Sequence, residues 1–596
     1  MKFLISGYEN GGKSTKYRNK FISREISGSV AKNARRGAMN GLLKLGDAVA
    51  DAVSNTSTKT FGATFLTFGL ITLISYFIRE YISLESESQG VALVSGIVCS
   101  ILAIPCLLLD RPISRALQDN PVSDCIIYEF FCIKRSTHGR VNFGIHPVFG
   151  IVFAALVGIL GYFVPLSYVL LTVGVLAFVY VSFLSPEFPF LLSILVMPYV
   201  SLIPYSETVI SFIIVTAAIS LFRKVIYGKR VLFFEQYDIY LLIMMTGVLI
   251  SGIFIKGIEA FGDSVFLIIT ALGYSVTGNL VINRRLSDRC MHAFIIASVP
   301  SALISAWMAV SLLLSGNDGV SLILEVKSTF YSADSLAVFM TATVFFAYAL
   351  AKQSKGLPRV AYFAIALFDF ASVILSGELF FAVAIFLGIL ITELVRSKWA
   401  ALISTVLFVA SPYGIFLLPT SVSEKLFRLV PEIADLQTLI SLWKSSADAF
   451  LSNLWLGIGI GSESFILEME RYEIFGFDNS CNLLLEIGLE AGAVALFAFA
   501  VLIVIRLCHR FNYNASVRNS SVEKQSPLII NALFALIFAG AFNFLWSYTP
   551  SSYVFWCVFG LGSATLRIAR REKDDKKLYY DDTRTPDQSE ISVDIG

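Results

Sequence analysis

Long apolar runs recur along the chain from residue 60 onward, separated by polar connections that are mostly short. A helix needs about 20 mostly apolar residues to cross a bilayer, and every backbone polar group in lipid must be paired within its own segment. The runs therefore predict spanning helices at 60–78, 91–109, 145–163, 165–184, 190–204, 208–222, 237–255, 263–281, 291–313, 334–351, 360–376, 379–395, 399–418, 482–505, 528–546 and 551–567, roughly 16 in all. The expected fold is an all-α polytopic integral membrane protein. The 190–204 run lies among Pro189, Pro198 and Pro204. Prolines break the backbone ladder, so this run suits a re-entrant segment as well as a span.

Composition agrees with the pattern. The chain has 596 residues, 56% hydrophobic and 15% charged, with a mean hydropathy of +0.73. That is too apolar for soluble domains of ordinary size. A net charge of +2 gives no reason to expect nucleic acid as a partner. The placement of the charges says more. With the N-terminus in the cytosol, the basic connections Arg111–Arg140, Arg223–Arg230, Arg284–Arg289, Lys352–Arg359, Arg396–Lys398 and Arg506–Lys524 all fall on the cytosolic side, as do both termini. Only Arg79, Lys256, Lys327, Lys425, Arg428, Lys444 and Arg471 are left outside. This places residues 419–481 outside as the one large extracytoplasmic loop.

The chain divides by composition into a basic cytosolic arm (1–59), a first set of spans (60–330), a second set containing the outer loop (331–569), and a charged tail (570–596) expected to be disordered. The arm contains GYENGGKS at Gly7–Ser14, which fits a phosphate-cradling loop. A nucleotide-binding fold needs well over 100 further residues, and apolar sequence begins at about residue 60, so the arm is read instead as a lipid-facing segment with an amphipathic helix near Leu42–Val53. The start MKFLIS is too short for the core of a cleavable signal peptide.

Of the eight cysteines only Cys481 is near the outer face, and no His/Cys ligand spacing is present, so neither a disulfide nor a metal site is expected. His138, His146, His292 and His509 all fall toward the cytosolic side. Chemistry on the outer face would then use a carboxylate as its base.

Residues from about 330 to 506 resemble the catalytic half of the O-antigen ligase and polysaccharide polymerase family. The stretches that carry the likeness are SLWKSSADAFLSNLWLGIGIGSESF (Ser441–Phe465), DNSCNLLLEIGLEAG (Asp478–Gly492) and FYSADSLAVFM (Phe330–Met340). The chain departs from the family's pattern in having Cys481 and Asn482 where His-Asn is usual, and Gly377 and Glu378 where Ser-Arg is common. The resemblance implies a metal-independent glycosyltransferase, without cofactor, in the cytoplasmic membrane of a bacterium. It would join polyprenyl-diphosphate-linked oligosaccharide units into a cell-surface polysaccharide. Its partners would be that lipid-linked glycan, membrane lipid, and other polysaccharide-assembly and export proteins. A ligase acting on a lipid or protein acceptor, a lipid-linked glycan transporter and a non-catalytic assembly partner stay open beside the polymerase.

Chemistry assigns the candidate roles. A departing diphosphate needs cations, and Arg428, Arg471, Lys425 and Lys444 supply them in the loop. The acceptor hydroxyl needs a carboxylate, and Glu486, Asp478 and Glu378 are the candidates. Trp443, Trp455 and Tyr472 suit stacking on sugar rings, although aromatics at an interface also serve as anchors. Asp478, Asn479 and Ser480 equally suit a helix N-cap, and Glu486 a structural bond to another helix. Gly457, Gly459 and Gly461 predict a tight backbone turn.

Overall fold

A computed structural model describes residues 49, 52–81, 89–133, 144–226, 230–235, 238–257, 261–315, 326–394, 398–414, 436–517, 520–546 and 548–583. Among them the fold is all-helical, with no strand. Eleven helices are long and apolar enough to cross a membrane: α1 (Thr58–Tyr81), α2 (Gln89–Leu108), α5 (Leu166–Leu184), α7 (Ser206–Ile226), α8 (Asp238–Lys256), α9 (Phe261–Leu280), α10 (Arg284–Leu314), α11 (Ala333–Gln353), α12 (Leu357–Leu375), α17 (Leu483–Val517) and α19 (Thr549–Thr583). Shorter apolar helices occupy the remaining predicted spans: α4 (Pro147–Phe163), α6 (Glu187–Val196) with the 3-10 turn Met197–Leu202, α13 (Leu379–Leu394), α14 (Lys398–Gly414) and α18 (Ser526–Ala539). The remaining labelled helices are α3 (Ile113–Asp119), and α15 (Leu436–Ser452) and α16 (Ser462–Glu470) between α14 and α17.

The chain forms two compact units, residues 1–189 with 219–232, and 190–218 with 233–596. In the first, α1 packs closely on α2 and α4 through small residues. A Cβ on Gly69 would stand 2.5 Å from Ser100 Oγ, and one on Gly158 would stand 2.7 Å from Ile71 Cγ2. Close backbone approach of this kind is how helices associate where lipid removes the hydrophobic drive. The buried acid of this unit is Glu187, paired with Arg230 and, at 3.8 Å, with Lys224. Large apolar side chains such as Phe149, Phe163 and Leu176 are exposed. Lipid rather than water is the solvent that suits them.

The second unit is built around α11, α18 and α19, whose apolar faces are buried nearly all round. Phe339, Phe345 and Phe346 of α11 and Trp556 of α19 are fully buried in it. The polar stretch before α11 is a helix cap, with the Ser332 side chain accepting from Ser335 N–H at 3.2 Å. At the other end of the chain, α19 runs on past residue 570 to Thr583. The first part of the charged tail is therefore helical. Arg570, Arg571, Glu572 and Lys573 are good helix formers, and Glu572 accepts from Ser521 N–H at 2.7 Å. Residues 584–596, the GYENGGKS loop and nearly all of the expected Leu42–Val53 helix lie outside the described residues.

Candidate functional site

The stretches around Asp334, Phe380, Trp443 and Asn482 meet at a short connection missed in the sequence, Gly540–Trp546, which joins α18 to α19. Its first two carbonyls hold the start of α17. Gly540 O accepts from Leu483 N–H at 2.7 Å, and Ala541 O accepts from Asn482 Nδ2 at 3.0 Å. Asn543 donates to Asp334 at the entry of α11, and Ser551 and Ser335 share a hydroxyl bond of 2.8 Å. The Phe542 ring stacks on Phe380 with centroids 3.8 Å apart and planes at 11°. On another side it meets Trp443 of α15 at 6.3 Å and 27°. The connection thus joins the Glu378 turn, the α11 entry, the outer helix α15 and the head of α17. Its sequence, GAFNFLW, offered a usable signal: a polar Asn between two apolar runs, where an unpaired amide is costly.

Asn482 is the cap of α17. Its Oδ1 accepts from Leu484 N–H and Leu485 N–H, both at 3.1 Å, and its amide is spent on Ala541. Asn accepts from two orphan N–H groups through its carbonyl oxygen while its amide donates elsewhere, which an ionised Asp, having no donor, cannot do. Glu486 lies one turn into the helix, 1% exposed, and its Oε2 accepts from Ser480 N–H at 2.6 Å. That bond ties the carboxylate to the segment leading into its own helix. Asp478 lies upstream and exposed, and the N-cap role considered for it belongs to Asn482. Glu378, 9% exposed, precedes α13, and its carbonyl accepts from Phe381 N–H at 3.1 Å.

The glycine run docks backbone to backbone on a break in α17. Gly492 there has φ 80° and ψ 176°, which divides the helix and frees the carbonyls before it. Leu489 O accepts from Ile458 N–H at 2.8 Å, and Ala493 N–H donates to Leu454 O at 2.7 Å. A Cβ on Gly457 would stand 2.4 Å from Glu490 O, and one on Gly492 would stand 2.2 Å from Trp455 O. Only hydrogen atoms fit on either side of that contact. Glu490, buried beside the break, accepts from Gly461 N–H through Oε1 at 2.9 Å. Ser251 of α8 donates to the Glu490 carbonyl at 2.5 Å. Glu490 was passed over in the sequence, although it is an ionisable residue four positions after Glu486 on the same apolar helix.

Together α15, the glycine turn and α16 form a cap over the head of α17. Leu439, Leu442, Ile458, Phe465, Met469 and Leu489 make its core, with Trp443, Tyr472 and Cys481 packed against it. Trp443 and Tyr472 are thus half-buried in packing contacts, whereas Trp455 is exposed on the surface. Lys444 is exposed, and Arg471, also exposed, pairs with Glu468 at 2.7 Å. Lys425 and Arg428 lie outside the described residues. No group of three His, Cys, Asp or Glu arranged to hold a metal is present among the described residues. One deeper carboxyl escaped the sequence reading, Asp369, fully buried within α12.

The class that these features define is a helical membrane protein with a folded cap over one broken helix. No protein-family model matches the chain, and no curated protein matches it.

Proposed function

We infer that the protein is a multi-pass glycosyltransferase of the cytoplasmic membrane, with about 16 spanning helices and both termini cytosolic, and that it polymerises polyprenyl-diphosphate-linked oligosaccharides on the outer face. One observation carries the reading. The stretches that resemble the O-antigen ligase and polymerase family, distant in sequence, meet around Gly540–Trp546, with two buried carboxylates beside them and a capping segment that bears cations. In the reaction the acceptor hydroxyl oxygen forms a bond to the anomeric carbon. The bond from that carbon to the phosphate oxygen breaks, and the diphosphate leaves with the electron pair. Glu486 or Glu378 takes the hydroxyl proton, and Lys444 and Arg471, with Lys425 and Arg428, stabilise the departing charge.

A lipid-linked glycan transporter is the second reading, favoured by the break at Gly492, because discontinuous spanning helices line the binding sites of many transporters. Glycan length in cells that depend on the intact chain or on Glu486→Gln separates the two, with membrane abundance checked in parallel. The Gln side-chain carbonyl still accepts from Ser480 N–H, so the head of α17 keeps its geometry. Single lipid-linked units accumulating outside, with loss of long polymer, support the transferase. Units trapped inside support the transporter, and unchanged polymer removes Glu486 from the chemistry.

A further inference from the structure

Asp369 has no part in the outer site. It is fully buried in α12, facing α10 and α11. Its Oδ2 accepts from the Ser298 hydroxyl of α10 at 3.0 Å, and Thr343 of α11 lies alongside. Its Oδ1 has no hydrogen-bond partner. An ionisable group within a span is costly and commonly serves proton or ion traffic. Two further sets of polar contacts lie on α10, one to each side of Ser298. Toward the start of the helix, His292 Nδ1 is 2.6 Å from the Asp288 carbonyl, and Nε2 is 2.8 Å from the Tyr362 hydroxyl. A carbonyl only accepts, so Nδ1 carries a hydrogen, and in the neutral ring Nε2 is the acceptor for the Tyr362 hydroxyl. Tyr362 lies two helical turns before Asp369, on the same face of α12. Toward the far end, the Ser301 hydroxyl bonds with Thr329 at 2.9 Å and Ser328 at 3.1 Å, Ser201 donates to Thr329 O at 2.7 Å, and Ser305 donates to Ser301 O at 3.1 Å.

We propose that Asp369 is a proton-exchange site inside the membrane, reached along the α10–α12 seam through His292 and Tyr362. The polar file from Asp288 to Ser305 covers about 25 Å of α10, against a hydrocarbon core of roughly 30 Å. In one transfer Tyr362 turns its hydroxyl away, a proton from water at the α10 start adds to the freed Nε2 of His292 and passes to the Tyr362 oxygen, and the original Tyr362 hydroxyl proton leaves to water on the Asp369 side. Water that enters transiently carries the proton over the remaining interval of about 10 Å, past Ile365 and Ala366, and the carboxylate of Asp369 becomes a carboxylic acid. On the helices packed against α12, Asp288 of α10 pairs with Arg284 at 3.5 Å, Arg285, Arg289 and Cys290 lie on that same helix and Asp334 at the entry of α11, and the remaining titratable groups are Tyr348 and Lys352 of α11 and Glu393 of α13. These last three bond to one another at 2.9 and 2.6 Å, near the α12 start, and form no ion pair with Asp369.

The test is infrared difference spectroscopy of the full chain in lipid, between alkaline and mildly acidic buffer. The expected result is a protonated-carboxyl band that grows in acid, is absent from Asp369→Asn, and shifts in Asp369→Glu, which keeps the acid if the Asn variant fails to fold. Tyr362→Phe is expected to slow the appearance of the band about tenfold after a pH step. A spectrum with no band that depends on residue 369 overturns the site, and an unchanged rate in Tyr362→Phe overturns the path. Sodium chloride that abolishes the band where choline chloride does not would make this a metal-cation site instead.

Discussion

Replacing Gly492 with Ala tests whether the glycine run holds the cap to the break in α17. The new methyl carbon would lie 2.2 Å from Trp455 O, 2.6 Å from Trp455 C and 3.1 Å from Leu456 N, all backbone atoms that cannot rotate away. The backbone at φ 80° and ψ 176° is also one that only glycine adopts readily. Holding Ala there costs about 1–3 kcal/mol. The clash also moves the cap off, which sacrifices the Ile458–Leu489 and Ala493–Leu454 bonds, about 0.5–1.5 kcal/mol each. The sum is a loss of roughly 2–6 kcal/mol. Gly174→Ala is the control, because that glycine sits in α5 with nothing within 4 Å of a new methyl, and a gain of about 0.5–1 kcal/mol is expected. The assay is thermal melting of the purified full chain in one detergent, with limited proteolysis of α15 and α16. Equal melting of the two variants and unchanged cleavage of the cap would refute the docking.

Asn482→Asp keeps the bonds to Leu484 and Leu485 and loses the donation to Ala541, whereas Asn482→Ala loses all three. Melting should fall for both, with the Ala variant lower by about 0.5–2 kcal/mol, and equal losses would show that capping is not the role. Glu187→Gln leaves Arg230 and Lys224 without their carboxylate in a largely buried setting, and melting should report a loss of about 3 kcal/mol. The bond and charge of Lys59, 2.8 Å away, hold the Asp110 carboxyl below its usual range. The stabilisation from that pair is present above the ordinary carboxylate range and fades as pH falls through the lowered value. The difference in melting between the parent and Asp110→Asn should therefore narrow on acidification, and it should be small throughout because the pair is exposed. Cys125 and Cys508 are exposed and on the expected cytosolic side. A membrane-impermeant maleimide added to intact cells should miss both, and labelling would reverse the orientation.

What the sequence showed was what lipid dictates. The predicted spans coincide with helices over most of their lengths, except that 528–546 is helical only to Ala539, where the connection begins, and 190–204 divides into α6 and a 3-10 turn. The cap was legible only as an outline: the glycine turn was foreseen, but its partner was not. The Gly492 break lies inside a run that reads as an unbroken helix, since a lone glycine breaks a helix only when another backbone arrives to accept the freed groups. Hydropathy averaging likewise hid Asp369, a single charge in a long apolar window, and Glu490, which shares its apolar run with Glu486. The convergence on Gly540–Trp546 was out of reach for a different reason. It depends on contacts between residues as far apart as Asp334 and Asn543, which no local pattern encodes.

The order of these pieces along the chain sets an order of assembly. The turn at Leu454–Gly461 is synthesised before the Leu489 carbonyl and the Glu490 carboxylate that receive it, and the α17 cap is completed only when Gly540 and Ala541 follow. During synthesis the segment bearing Trp443 and Phe465 must therefore wait without its partners, its apolar face uncovered, until the last spans are inserted. A ribosome stalled after α17 would leave the cap with its helix but without the connection that anchors both. The final helix pair thus acts as a latch on a structure whose parts are already made.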